Sequence, residues 1–142
     1  MSILKIIGIA VGAAAAATVA GLALMNQGNT AETSVDAKDE NLRSRLYETD
    51  LTTLVAELEK LIPALLTYGQ NWRLISAETD GSSAVIKTEV PVVVFTDDLE
   101  IKANYDAEKG ETLVNIRSAS RVGKGDFGEN RRHILQLLAA LD

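Results

Sequence analysis

Hydrophobic residues are laid along this chain in three rhythms, and each predicts a different kind of element. The first is continuous. Residues 6–25 are 20 positions without a charge, and Ile3 and Leu4 extend the run past a lone Lys5. At about 1.5 Å per residue, a helix of that length covers the roughly 30 Å hydrocarbon layer of a bilayer. A cleaved signal peptide is the competing reading, with Gly21-Leu22-Ala23 as its small-residue cut, but such peptides carry apolar runs of only about 7 to 15 residues. Residues 1–25 are therefore expected to form one N-terminal transmembrane helix, an uncleaved signal anchor. Lys5 precedes it, while residues 26–37 contain Glu32 and Asp36 and no Lys or Arg, so the part that follows is expected on the periplasmic side of the cytoplasmic membrane. Residues 26–48 begin with a polar stretch that lacks a hydrophobic period and read as a flexible linker.

The second rhythm has the spacing of an amphipathic helix. Leu51, Leu54, Val55, Leu58, Leu61, Ile62 and Leu65 recur every three or four residues, with Asp50 placed to cap the start and Gly69 to stop the end. Pro63 lacks an amide proton and clashes with the preceding turn, which predicts a kink near Glu59 or a restart at Ile62.

The third rhythm alternates. Residues 72–77, 84–95 and 99–105 read as strands separated by Asp80-Gly81-Ser82-Ser83 and Thr96-Asp97-Asp98, and Pro91 puts the second of them at an edge or a bulge. A fourth strand follows residues 106–111. Setting Asp106 opposite Glu111 places Leu99 against Ser118, Ile101 against Ile116, Ala103 against Val114 and Tyr105 against Thr112, so the alternating sets of the two strands coincide. The same register faces Glu100 with Arg117 and brings Asp97 and Asp98 to the end where Ser120 and Arg121 emerge. Asp126 with Glu129 resembles a capping box before the stripe Ile134, Leu137, Leu138 and Leu141. The expected fold over residues 49–142 is α+β: a mostly antiparallel four-stranded sheet with a helix before it and a helix after it.

Composition sharpens this picture. The 142 residues suit one domain, and the 46% apolar content divides into 19 of the first 25 residues and 47 of the remaining 117. The absence of cysteine excludes disulfides, thiolate metal sites and cysteine nucleophiles, and the single histidine excludes paired histidine ligands. No cofactor or metal is expected. The net charge of −6 conceals one basic stretch, since Arg117, Arg121, Lys124, Arg131 and Arg132 outweigh Asp126 and Glu129. Arg117, Arg121 and Lys124 are expected to pair with Glu100, Asp97, Asp98 and Asp126. A chain this acidic, with only Phe127 interleaving the basic residues, is not expected to bind nucleic acid.

Residues 117–134 read RSASRVGKGDFGENRRHI. Gly123, Gly125 and Gly128 match a dinucleotide fingerprint, but no strand follows the last helix, and Asp126 and Glu129 would repel a pyrophosphate. A Ser118 or Ser120 nucleophile with a His133 base is also weighed against placement: Ser118 faces inward beside Leu99, and His133 is expected on the helix surface, one position off the stripe.

The same stretch resembles the family of bacterial, cyanobacterial and plastid proteins grouped as domain of unknown function 1499. Its members look like Arg-Ser-x-Ser-Arg-x-Gly-x-x-Asp-x-Gly-x-Asn, matched here by Arg117, Ser118, Ser120, Arg121, Gly123, Asp126, Gly128 and Asn130, with an upstream Asp-Asp turn matched by Asp97-Asp98. The chain departs from the family in lacking a Cys-Pro-Asn-Cys-like segment and in carrying His133 where Arg is common. The resemblance implies a small exported or membrane-tethered domain and no established reaction. The resulting expectation is a non-catalytic domain that binds a partner protein, an envelope component or a small ligand through Asp97, Asp98, Arg117, Ser118, Ser120, Arg121, Asp126 and Asn130. Two rivals stand beside it: a small hydrolase using Ser120 or Asp97/Asp98 with Arg121, and a membrane assembly subunit packing through Gly8 and Gly12.

Overall fold

The computed structural model describes Leu4 and residues 6–9, 29–122 and 128–142. In chain order the strands and helices are β1 (Ile6–Ile9), β2 (Thr30–Glu32), β3 (Arg45–Tyr47), α1 (Leu51–Leu61), β4 (Leu66–Thr67), β5 (Gln70–Asn71), β6 (Arg73–Asp80), β7 (Ser83–Val92), β8 (Phe95–Asp106), β9 (Glu111–Ser120) and α2 (Glu129–Leu141). Seven strands form one antiparallel sheet in the order β1-β3-β9-β8-β7-β6, with β2 also paired to β9; β4 and β5 make a separate small hairpin.

The long meander β6 to β9 holds the expected register. Leu99 faces Ser118, Ile101 faces Ile116, Ala103 faces Val114, Tyr105 faces Thr112 and Glu100 faces Arg117. Pro91 lies in β7 beyond the last residue paired with β6, so its missing amide proton falls where no ladder requires one. Ala84, Ile86, Val90, Leu99, Ile101, Ala103, Val114 and Ile116 are buried on one face of the meander, and they pack with Leu51, Leu54 and Leu58 of α1 and Ile134, Leu137, Leu138 and Leu141 of α2. Helix α1 starts on the Asp50 cap, whose carboxylate accepts the Thr53 amide at 2.7 Å. At Ile62 it gives way to a 3-10 turn, Ile62–Ala64, as Pro63 requires.

Two expectations are corrected here. The four-stranded sheet becomes seven-stranded because β1, β2 and β3, all upstream of α1, add to its far side. The transmembrane helix is overturned: Ile6–Ile9 is a strand hydrogen-bonded to Arg45–Tyr47, and among the described residues no helix is long and apolar enough to cross a membrane. Apolarity alone does not separate a span from a strand, because pairing β1 with β3 also satisfies the backbone. Gly8 sits in β1, and Gly12 lies outside the described residues.

Smaller corrections concern the punctuation. Gly69, at φ 76°, is in the two-residue turn of the β4–β5 hairpin after Tyr68 at φ 52°, and does not end a helix. Helix α2 begins at Glu129 with Gly128, at φ 80°, as its N-cap; Asp126 lies outside the described residues.

Strands β2 and β3 lie end to end along the same edge of β9. Thr33 fills the gap between them. Its amide donates to Ile116 O at 2.8 Å, its hydroxyl accepts the Ile116 amide at 2.9 Å, and that hydroxyl donates to Asn115 Oδ1 at 3.0 Å. Tyr47 Oη closes the opposite end by donating to Asp142 Oδ1 at 2.6 Å, and burial together with that carboxylate pushes the phenol far above its ordinary range.

Candidate functional site

The meander register carries Asp97, Ser118 and Ser120 to one end of the sheet, where α2 begins. Asp97 shares the inward face with Leu99 and Ile101, and so does Ser118 with Ile116. Two polar side chains of α2 meet them. Asn130 is fully buried; its Oδ1 accepts the Ser118 hydroxyl at 2.7 Å, and its Nδ2 donates to Ser120 Oγ at 2.9 Å and to the Asn29 carbonyl at 2.8 Å. One amide thereby joins β9, α2 and the residue that leads into β2.

His133 is the second. It is buried, contrary to its expected place on the helix surface, and its Nε2 lies 2.8 Å from Asp97 Oδ2, with side-chain exposures of 1% and 5%. Trp72 stands edge-on to the imidazole with ring centroids 6.1 Å apart, and Glu129 Oε2 lies 3.8 Å from the same Nε2. Glu129 Oε1 accepts the Tyr68 hydroxyl and Arg132 Nη2, the latter at 2.9 Å. Burial would raise the Glu129 carboxyl, but Tyr68, Arg132 and His133 together hold it below its ordinary value. Trp72 Nε1 donates to Thr67 Oγ1 at 2.7 Å, and Gln136 Nε2 donates to Leu66 O at 2.8 Å, so the β4–β5 hairpin is fastened to α2 around this centre.

The outward face presents the rest. Arg121 grips Asp98 with two bonds, Nε to Oδ2 at 2.9 Å and Nη2 to Oδ1 at 2.8 Å, and reaches Glu89 Oε2 at 2.6 Å. Arg73 takes the other Glu89 oxygen at 3.0 Å. Alongside lies an open groove of about 420 Å³ lined in part by Ile75, Lys87, Glu100, Arg117 and Arg121. Ile75 falls where the β6–β7 register shifts, and that bulge turns it outward. Lys87, Glu100, Arg117 and Glu32 form a row of alternating charge across β7, β8, β9 and β2.

The expected site is thus split by the sheet. Asp97, Ser118, Ser120 and Asn130 belong to an interior knot, and Asp98, Arg117 and Arg121 to the solvent face. Arg121 pairs with Asp98 as expected, with Glu89 added; Asp97 is taken by His133. Both serine hydroxyls engage Asn130 and neither is hydrogen-bonded to His133, so a serine–histidine nucleophile is not assembled. Among the described residues no group of His, Asp and Glu is arranged to hold a metal ion. Sequence reasoning missed Trp72, Tyr68 and Glu89. The last was within reach, since extending the β7–β8 hairpin pairs Glu89 with Asp98.

The Arg121 cluster predicts acid sensitivity. Hydrogen bonds from Arg121, joined at Glu89 by Arg73, hold the Asp98 and Glu89 carboxyls below the usual range, so their contribution is complete above that range and lost as pH falls through the depressed values. Urea midpoints should fall between about pH 6 and about pH 3. Arg121→Gln should lower the neutral midpoint and flatten the acid limb; an unchanged acid limb would assign the sensitivity elsewhere.

These features define a small, predominantly β domain with two helices on one sheet face and its serine-rich motif bound into a buried polar knot. The chain belongs to the family described as protein of unknown function (DUF1499), whose model matches residues 22–141. Compared with curated proteins and with solved structures, the chain finds no match.

Proposed function

We propose that this chain is a non-catalytic docking domain that engages its partner through the β7–β8 hairpin end. The observation that supports the reading is the turn itself. Val92 pairs with Phe95, leaving Val93-Val94 as a two-residue loop with Val93 at φ 58°. A β-branched residue in that region is strained by about 1–2 kcal/mol, and such turns ordinarily use Gly or Asn there. The side chains so placed are also in water: Val94 is 83% exposed, and Val93, Phe95 and Val122 are each more than half exposed. Neither the strain nor the exposure serves folding, and an apolar patch kept on the surface marks a contact site. Beneath it, the Asn130 and His133 knots fix the hairpin against α2, which gives the tip a rigid base.

Two variants separate docking from stability. Val93→Gly should raise unfolding stability by about 1 kcal/mol while weakening docking. Val94→Asp should leave stability within about 0.5 kcal/mol, as an exposed substitution, and also weaken docking. Docking is read as crosslinked adducts and retention of the full chain on cell envelopes. Adducts and retention equal to those of the unsubstituted chain in both variants would sink the proposal.

A further inference from the structure

We infer that the surface this tip docks on is a lipid bilayer, entered to headgroup depth without crossing it; the inference rests on the docking reading above. Three observations point there. The apolar residues form a convex tip, and a protruding tip suits a fluid interface that can close around it. Its dimensions fit as well. Val92 and Phe95 are three residues from the Glu89–Asp98 pair, so at about 3.3 Å per residue that charged pair stands about 10 Å behind the tip, near the depth to which interfacial elements bury their apolar face. At that level Arg121, Arg73 and their carboxylate partners balance one another, a composition suited to the mixed charges of lipid headgroups.

The third observation concerns the chain outside the described residues. Positions 10–28 contain no charged residue. The described chain resumes at Asn29, whose carbonyl is held by Asn130 Nδ2 and by the Ser120 amide at 2.8 Å each. That is the end of β9 from which Val122 follows. An uncharged stretch of 19 residues therefore rejoins the domain at the end carrying the exposed apolar tip. Tyr68, exposed on the β4–β5 hairpin and bonded to Glu129 at the start of α2, adds an aromatic residue with a polar tip at the same end.

The chain has no cysteine, so a single introduced cysteine reports one position. Full-length Val94→Cys and Ala107→Cys, the latter in the β8–β9 turn at the opposite end, are labelled with an environment-sensitive fluorophore. Each is mixed with phosphatidylethanolamine–phosphatidylglycerol vesicles carrying nitroxide-labelled acyl chains. The inference expects vesicle flotation, with a blue shift and several-fold stronger quenching at position 94 than at position 107. No flotation overturns it, and so does flotation with position 94 unquenched. If position 94 is unquenched but Val94→Asp still loses adducts and retention on cell envelopes, docking stands and its partner is a protein. A position 94 probe already shielded before lipid is added overturns the inference in favour of the chain covering its own tip. Failure of both the quenching and the Val94→Asp effect removes the docking reading too.

Discussion

Asn130→Ala should lower unfolding stability by about 3–5 kcal/mol, and no other position in the motif is expected to be as sensitive to substitution. Asn130 is fully buried and joins Ser118, Ser120 and Asn29. Truncation leaves the Ser118 hydroxyl, itself fully buried, without its acceptor, removes the Asn130 donor from Ser120 Oγ and from the Asn29 carbonyl, which keeps the Ser120 amide, and opens a void at the root of α2. Each stranded buried group costs about 1–3 kcal/mol. Against a total of about 5–15 kcal/mol for a domain, much of the population should unfold. Asn130→Asp keeps an acceptor for Ser118 but loses both donated bonds and buries a charge, so it should be at least as damaging. Urea unfolding followed by far-ultraviolet circular dichroism reads both variants. A loss under about 1 kcal/mol for Asn130→Ala would mean that the knot is not what joins β9, α2 and β2.

The second large effect is expected at Asp97. Asp97→Ala removes the close partner of a buried imidazole and leaves Glu129, at 3.8 Å, as the carboxylate facing His133 Nε2 among the described residues. Breaking a buried pair from one side costs about 3–5 kcal/mol, whereas replacing both members by apolar groups is often near neutral. The double variant Asp97→Val, His133→Leu should therefore recover more than half of the loss, and the cycle closed with Asp97→Val alone and His133→Leu alone should give a coupling energy above about 1 kcal/mol. Additive single losses would show that the two side chains act independently.

Much of this centre is legible in the order of residues. The register that pairs Leu99 with Ser118 follows from alternation alone, and carrying its parity two residues back turns Asp97 inward. An inward carboxylate requires a buried partner, and the chain has one histidine, adjacent to Ile134 of the final stripe. The charge pattern instead suggests an arginine partner, because neighbouring acids and bases look alike until the face of the sheet is applied. Trp72 and Tyr68 are hidden for a different reason: they act through the β4–β5 hairpin, two strands of two residues each, too short for a period to register. The N-terminal strand escapes a reading by pattern because uninterrupted apolarity describes a buried strand and a membrane helix equally well. The open-face groove and the strained turn depend on backbone detail, a bulge at Ile75 and a positive φ at Val93, that residue type does not encode.

The arrangement of β2 and β3 along one edge of β9 also governs how the chain assembles. The Thr33 contacts to Asn115 and Ile116 join residues 82 and 83 apart, and Tyr47 meets Asp142 across 95. Contacts of that sequence separation require closing a long loop before they give anything back, which places this domain among slow-folding β topologies. During synthesis the upstream strands emerge well before the strand that pairs them, and they wait with open hydrogen-bonding edges until β9 arrives. The order of the chain thus leaves this protein most exposed to misassembly just before β9 is made.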